Sequence, residues 1–96
     1  MLENLNKAFE SRIRLGIMSI LVVNDWVDFN SLKDYLKTSD GNLSSHISSL
    51  EKVGYLEVRK EFVGKRPKST YRLTMLGRSE FNKHLDALEK LINKRK

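Results

Sequence analysis

Between Asn42 and Thr74 the hydrophobic period of the chain switches once, from helical to alternating, and this switch constrains the fold more than any other feature. In NLSSHISSLEKVGYLEV, Leu43, Ile47 and Leu50 recur every three or four residues and define a buried stripe, while Ser44, Ser45, Ser48, Ser49 and Lys52 project away from it. Gly54 follows where a helix-terminating C′ glycine would stand. Leu56, Val58 and Phe62 then alternate with Glu57, Arg59 and Glu61, and beyond the segment GKRPKS, Tyr71 and Leu73 alternate with Thr70, Arg72 and Thr74. Period two on both limbs predicts a β-hairpin, with Lys65, Arg66 and Lys68 on an exposed loop that also holds Gly64 and Pro67.

Upstream, the apolar positions Leu5, Phe9, Ile13, Ile17, Ile20 and Leu21 step by three or four, which predicts one long first helix from Leu2 to just before Asn24, with Gly16 inside it. Trp26, Val27 and Phe29 form a brief β-prone stretch. Asp28 or Asn30 would cap a second short helix, Ser31 to Lys37, with Leu32, Tyr35 and Leu36 facing inward. Thr38, Ser39, Asp40 and Gly41 carry turn and N-cap chemistry into the third helix, and two short helices joined this tightly are a helix-turn-helix. From Met75 the period is helical again. Phe81, Leu85, Leu88 and Ile92 alternate in steps of four, three and four, a heptad seam that would be exposed unless a second copy of the chain covers it.

The 96 residues, 40% of them hydrophobic, suffice for one small domain with one core and leave no room for a catalytic annex. Eighteen Lys and Arg against twelve Asp and Glu give a net charge of +6, which favours polyanionic partners. Between Glu61 and Glu80 the bases Lys65, Arg66, Lys68, Arg72 and Arg78 occur with no acid among them, so a local positive field is expected at the hairpin. With no cysteine, neither disulfides nor thiolate metal ligation can occur, and a cytoplasmic location is expected. The apolar stretch from Gly16 to Val23 is too short to span a bilayer and lacks the flanks of a signal peptide, so no membrane partner is expected. His46 reads as a packed edge histidine. His84 shares a helix face with Glu80 alone, which does not make a zinc site. The serines lack a nucleophile elbow and no phosphate loop is present, so an enzyme is not expected and neither cofactor nor metal is called for.

Helix, short strand, helix, third helix, two-stranded hairpin and final helix is the order of the winged helix-turn-helix, an α+β domain. A helix entering a major groove roughly 12 Å wide needs a slim face that donates and accepts hydrogen bonds, and serines supply one. The segments SRIRLGIMSIL, SSHISSLEKVGYLEV and STYRLTMLGRSEF resemble the stand-alone winged-helix transcriptional regulators related to the MarR and ArsR groups, over nearly the whole chain. The resemblance implies double-stranded DNA as partner, read by Asn42, Ser44, Ser45, Ser48, Ser49 and Lys52, with Lys65, Arg66 and Lys68 as wing contacts. It also implies a homodimer joined by the first and last helices, with Leu5, Phe9, Phe81, Leu85, Leu88 and Ile92 at the interface. Metal sensing is not carried over, because the cysteine ligands of the ArsR sensors have no counterpart here. The third helix is nearly bare of Arg, Asn and Gln, which shifts selectivity toward DNA shape and wing contacts. Two other uses fit the same fold: a protein-protein adaptor, disfavoured by the basic hairpin, and a structured-RNA binder, which shares the attraction to phosphate.

Overall fold

The computed structural model describes residues 3–93, so Leu2, the start of the expected first helix, lies outside it. The continuous first helix is not observed. Instead the chain makes a 3-10 turn, Lys7–Phe9, and then helix α1, Arg12–Val22. Two local caps impose the break: the Asn6 side-chain oxygen accepts from the Ala8 N–H at 2.8 Å, and Ser11 Oγ accepts from the Arg14 N–H at 3.3 Å. Periodicity is blind to this break because Phe9 still enters the same core as Ile17, Met18 and Leu21. At the far end of α1, Arg78 Nη1 donates to the Val22 carbonyl at 3.0 Å, which satisfies an orphan acceptor of the helix.

Strand β1 is only Val27–Asp28, preceded by Trp26 at φ 40 with the guanidinium groups of Arg59 and Arg72 at 4.3 and 4.6 Å from its ring centroid. Asp28 is the cap of helix α2, Phe29–Leu36, which therefore starts two residues earlier than the spacing predicts. Tyr35, expected inward, is exposed, because the i, i+4 pair Leu32 and Leu36 defines the inner stripe and Tyr35 lies about 100° round the helix from Leu36. The α1–α2 crossing is tight at Gly16, where a Cβ would stand 2.5 Å from Leu36 Cδ2.

Lys37 in the left-handed region at φ 50 turns the chain into helix α3, Asp40–Lys52, capped by Ser39 Oγ on the Asn42 N–H. Leu43, Ile47 and Leu50 are buried, as the stripe predicts. Gly54 at φ 81 ends the helix: its N–H donates to Glu51 O and that of Tyr55 to Leu50 O, both at 2.9 Å, which is the Schellman pattern.

Strands β2, Leu56–Val63, and β3, Arg66–Leu73, pair from Leu56↔Leu73 to Val63↔Arg66, and β1 joins the other edge of β3 to give an antiparallel sheet of order β1-β3-β2. Leu56, Val58, Tyr71 and Leu73 point into the core side. The connection is a two-residue turn, Gly64-Lys65, with Gly64 at φ 66. Arg66 and Lys68, expected on a loop, therefore stand on β3. Pro67 is tolerated there because the pair beside the turn-closing Val63↔Arg66 pair is a non-hydrogen-bonded one, so no ladder donor is lost.

Helix α4, Met75–Asn93, begins at Thr74, whose Oγ1 accepts from the Gly77 N–H at 2.9 Å and donates to Gly54 O at 2.6 Å. No described helix is long and apolar enough to cross a membrane.

Candidate nucleic-acid interface

The exposed side of α3 presents Asn42, Ser44, Ser45, Ser48 and Lys52. Ser49 is half-buried and its hydroxyl donates back to Ser45 O at 3.2 Å, so it lies at the margin of this face. The Asn42 amide is likewise engaged locally, donating to Thr38 Oγ1 at 2.8 Å across the helix start. Ser44, Ser45, Ser48 and Lys52 make up the outer surface, a row of short hydroxyl side chains closed by one cation.

The positive field of the hairpin is narrower than its sequence. Arg72 hydrogen-bonds Glu57 and lies 3.9 Å from Asp25, while Arg78 is spent on the end of α1. Glu61, which bounds the acid-free run in sequence, sits directly across the strands from Lys68. Lys65 and Arg66 remain at the exposed tip. Lys60, which sequence reasoning passed over, joins them, because the register places it on the outer half of the hairpin opposite Ser69. The outer hairpin thus carries Lys60, Lys65, Arg66 and Lys68 against the single acid Glu61.

The helix and the hairpin share one concave surface. A groove of about 400 Å³ runs from Ser44 on α3, past Asp28 and Asn30 at the start of α2, to Pro67, Lys68 and Ser69 on β3. Asp28 adds little repulsion toward an anion, since its carboxylate is occupied by the Ser31 hydroxyl and N–H at 2.7 and 3.1 Å. Those Ser31 bonds hold its carboxyl below the usual range, and the Lys68 ammonium acts in the same direction. A larger concavity of about 690 Å³ lies between the end of α1 and the start of α4, but its Arg72 and Arg78 are the two already engaged within the chain, so it offers an anion less.

The expected interface residues divide. Phe9 and Phe81 are 2% and 1% exposed and meet edge to face at 5.3 Å inside the core of the chain, so neither has surface to offer a second copy. Phe9 turns inward from the 3-10 turn, and the inner stripe of α4 is Gly77, Phe81, His84 and Ala87, which leaves the expected seam one residue beyond Phe81. Leu5 is half-buried. Leu85, Leu88 and Ile92 do form an open row, 41%, 37% and 62% exposed. His84 is the residue that periodicity missed: Nδ1 accepts the Asn6 N–H at 3.0 Å, its ring lies 5.2 Å from that of Phe9, and burial lowers its pKa. Its spacing of three from Phe81 was the available signal.

The winged helix DNA-binding domain family matches residues 13–92. An uncharacterized protein of Methanocaldococcus jannaschii is 34% identical over 79 residues, spanning 82% of this chain and 86% of its own. Among solved structures, a transcriptional regulator homologue from Pyrococcus horikoshii superposes with a TM-score of 0.79 at 31% identity, covering 96% of each chain. HlyU from Vibrio cholerae gives a TM-score of 0.67 at 26% identity over 88% of this chain and 84% of its own.

Proposed function

The chain belongs to the winged helix DNA-binding domain family, and on that premise we propose that it acts as a homodimeric, sequence-specific regulator of transcription on double-stranded DNA. In this reading α3 enters the major groove with Ser44, Ser45, Ser48 and Lys52 toward the bases, and Asn42 and Ser49 flank them at the helix start and margin. Lys65, Arg66 and Lys68 neutralise phosphates beside the same site. The observation that carries the reading is the shared groove from Ser44 to Lys68, which lets one duplex touch the serine face and the cationic hairpin together.

Two copies would pair through Leu85, Leu88 and Ile92, with the half-buried Leu5 nearby, and the rest of the chain would serve as one DNA-binding unit. The paired helices would then present the two α3 helices to an inverted repeat with half-sites about one helical turn, roughly 10 base pairs or a multiple, apart. The function is binding, in the cytoplasm, without chemistry or cofactor. Footprinting on genomic fragments retained by the protein is the test. Paired protected half-sites are expected, and duplex DNA should outcompete duplex RNA. Equal retention of the two duplexes, or a single protected half-site with one subunit bound, would overturn the reading.

A further inference from the structure

Phe62 is 74% exposed and Val63 is exposed beside it, although both lie on a strand whose inner half is core. Isolated apolar residues on a surface are ordinary, and Val63 turns to the opposite face of the strand, but Phe62 does not stand alone on its own face. Phe62 is the cross-strand partner of Pro67, and in a non-hydrogen-bonded pair the side chains approach closely. Strand alternation puts Phe62 and Pro67 on the same face as Val58 and Tyr71, the face that looks toward α3, and Pro67 lines the groove that begins at Ser44. Lys60 shares this face, Lys65 stands at the turn beyond it, and Arg66 and Lys68 leave the neighbouring positions of β3 toward the opposite face. An apolar pair flanked by Lys60 and Lys65 on the α3 side of the molecule, at the edge of a cationic hairpin tip, matches an anionic surface with an apolar interior.

We propose that Phe62, backed by Pro67, is an apolar wedge that enters the minor groove of the bound duplex next to the recognition helix and kinks it. The inference rests on the DNA-binding reading and adds a specificity-determining residue to it. The placement is right: Phe62 stands four residues beyond Val58, about 13 Å farther out along the strand at about 3.3 Å each, on the outer half of the hairpin, the part that flanks the groove entered by α3. The chemistry is right as well. Sugar edges and unstacked base faces are the apolar surfaces of a duplex, and a ring inserted at a flexible pyrimidine–purine step is accommodated by kinking. The cations then hold the phosphates on either side, so the wedge supplies shape readout where the serine face lacks the Arg, Asn and Gln of direct readout.

The test compares the parent protein with Phe62→Ala and Phe62→Leu on a duplex recovered by selection from a random-sequence pool with the parent. Circular dichroism confirms folding, which an exposed position leaves intact. Phe62→Ala is expected to lose about tenfold in affinity per wing, roughly a hundredfold for a dimer, at an unchanged salt slope, because no phosphate contact is removed. The bend measured by energy transfer between the duplex ends should shrink with Phe62→Ala and persist in part with Phe62→Leu. Unchanged affinity and bend, a changed salt slope, or an effect on self-association alone would each overturn the wedge while leaving DNA binding in place. A parent that retains no duplex would overturn the DNA reading itself.

Discussion

Replacing Gly77 by Ala sets two effects of opposite sign against each other. In a helix interior Ala is favoured over Gly by about 1 kcal/mol, and in the first turn, where Gly77 is the third residue of α4, by less, so propensity alone forecasts a small gain. Packing forecasts the reverse. A Cβ on Gly77 would stand 2.1 Å from Tyr55 O and 2.9 Å from Tyr55 C and Cα, all main-chain atoms that no rotamer change can move. An ordinary carbon–oxygen contact is about 3.3 Å, so α4 must retreat by about 1 Å. Overpacking of this kind costs about 1–3 kcal/mol. The retreat also strains the Thr74 N–H bond to Tyr55 O at 3.0 Å and the Thr74 hydroxyl bond to Gly54 O at 2.6 Å, each contributing about 1 kcal/mol. The net expectation is a loss of about 3 kcal/mol, or roughly 12 to 24 °C in melting temperature for a domain of this size. Gly41→Ala is the matched control, since nothing lies within 4 Å of the added Cβ and the residue is in the first turn of α3; it should melt at or slightly above the parent. Thermal melts at one protein concentration read both. A Gly77→Ala variant as stable as the parent would refute the close approach of α4 to Tyr55.

Two other outcomes are expected. Leu85→Asp combined with Leu88→Asp should give a folded monomer by light scattering where the parent is a dimer, because the positions are open in one chain and charges there cost several kcal/mol only when a partner desolvates them; a monomeric parent would refute the seam. His84 is buried neutral with Nδ1 as acceptor, so its folded pKa lies below the ordinary 6.5 and the unfolded chain takes the proton first. Its contribution to stability is complete above about pH 6.5 and lost as pH falls through the folded value; urea midpoints across that range should fall more steeply for the parent than for His84→Leu, and parallel profiles would refute the role.

The elements that periodicity could find were those whose burial is set by one continuous stripe or one alternating face. Leu43, Ile47 and Leu50 on α3, and Leu56, Val58, Tyr71 and Leu73 on the hairpin, are of this kind, and with them came the winged-helix order. The break before α1 was hidden because Asn6 and Ser11 act through local hydrogen bonds, which leave the hydrophobic period intact. Phe81 was misassigned for a related reason: it belongs both to the seam that continues through Leu85 and Leu88 and to the inner stripe that continues through His84 and Ala87, and in the fold its ring meets that of Phe9 within the core. The narrowing of the positive field was out of reach of the linear sequence, since Glu57 meets Arg72 and Glu61 faces Lys68 only once the register of β2 on β3 is fixed. For the site, the candidate residues of α3 could be named from the sequence, and the groove that links Ser44 to Lys68 could not.

The central claim is that helix and wing of a dimer share one duplex, and the salt dependence of binding tests it most directly. Lys65 projects from the two-residue tip of the wing, where its natural role is to neutralise a phosphate. Each phosphate neutralised contributes about −0.9 to the slope of log affinity against log salt, so Lys65→Ala, which removes one contact from each of two subunits, should flatten the slope by about 1.8 for any sequence of duplex. A slope identical to that of the parent would contradict the account.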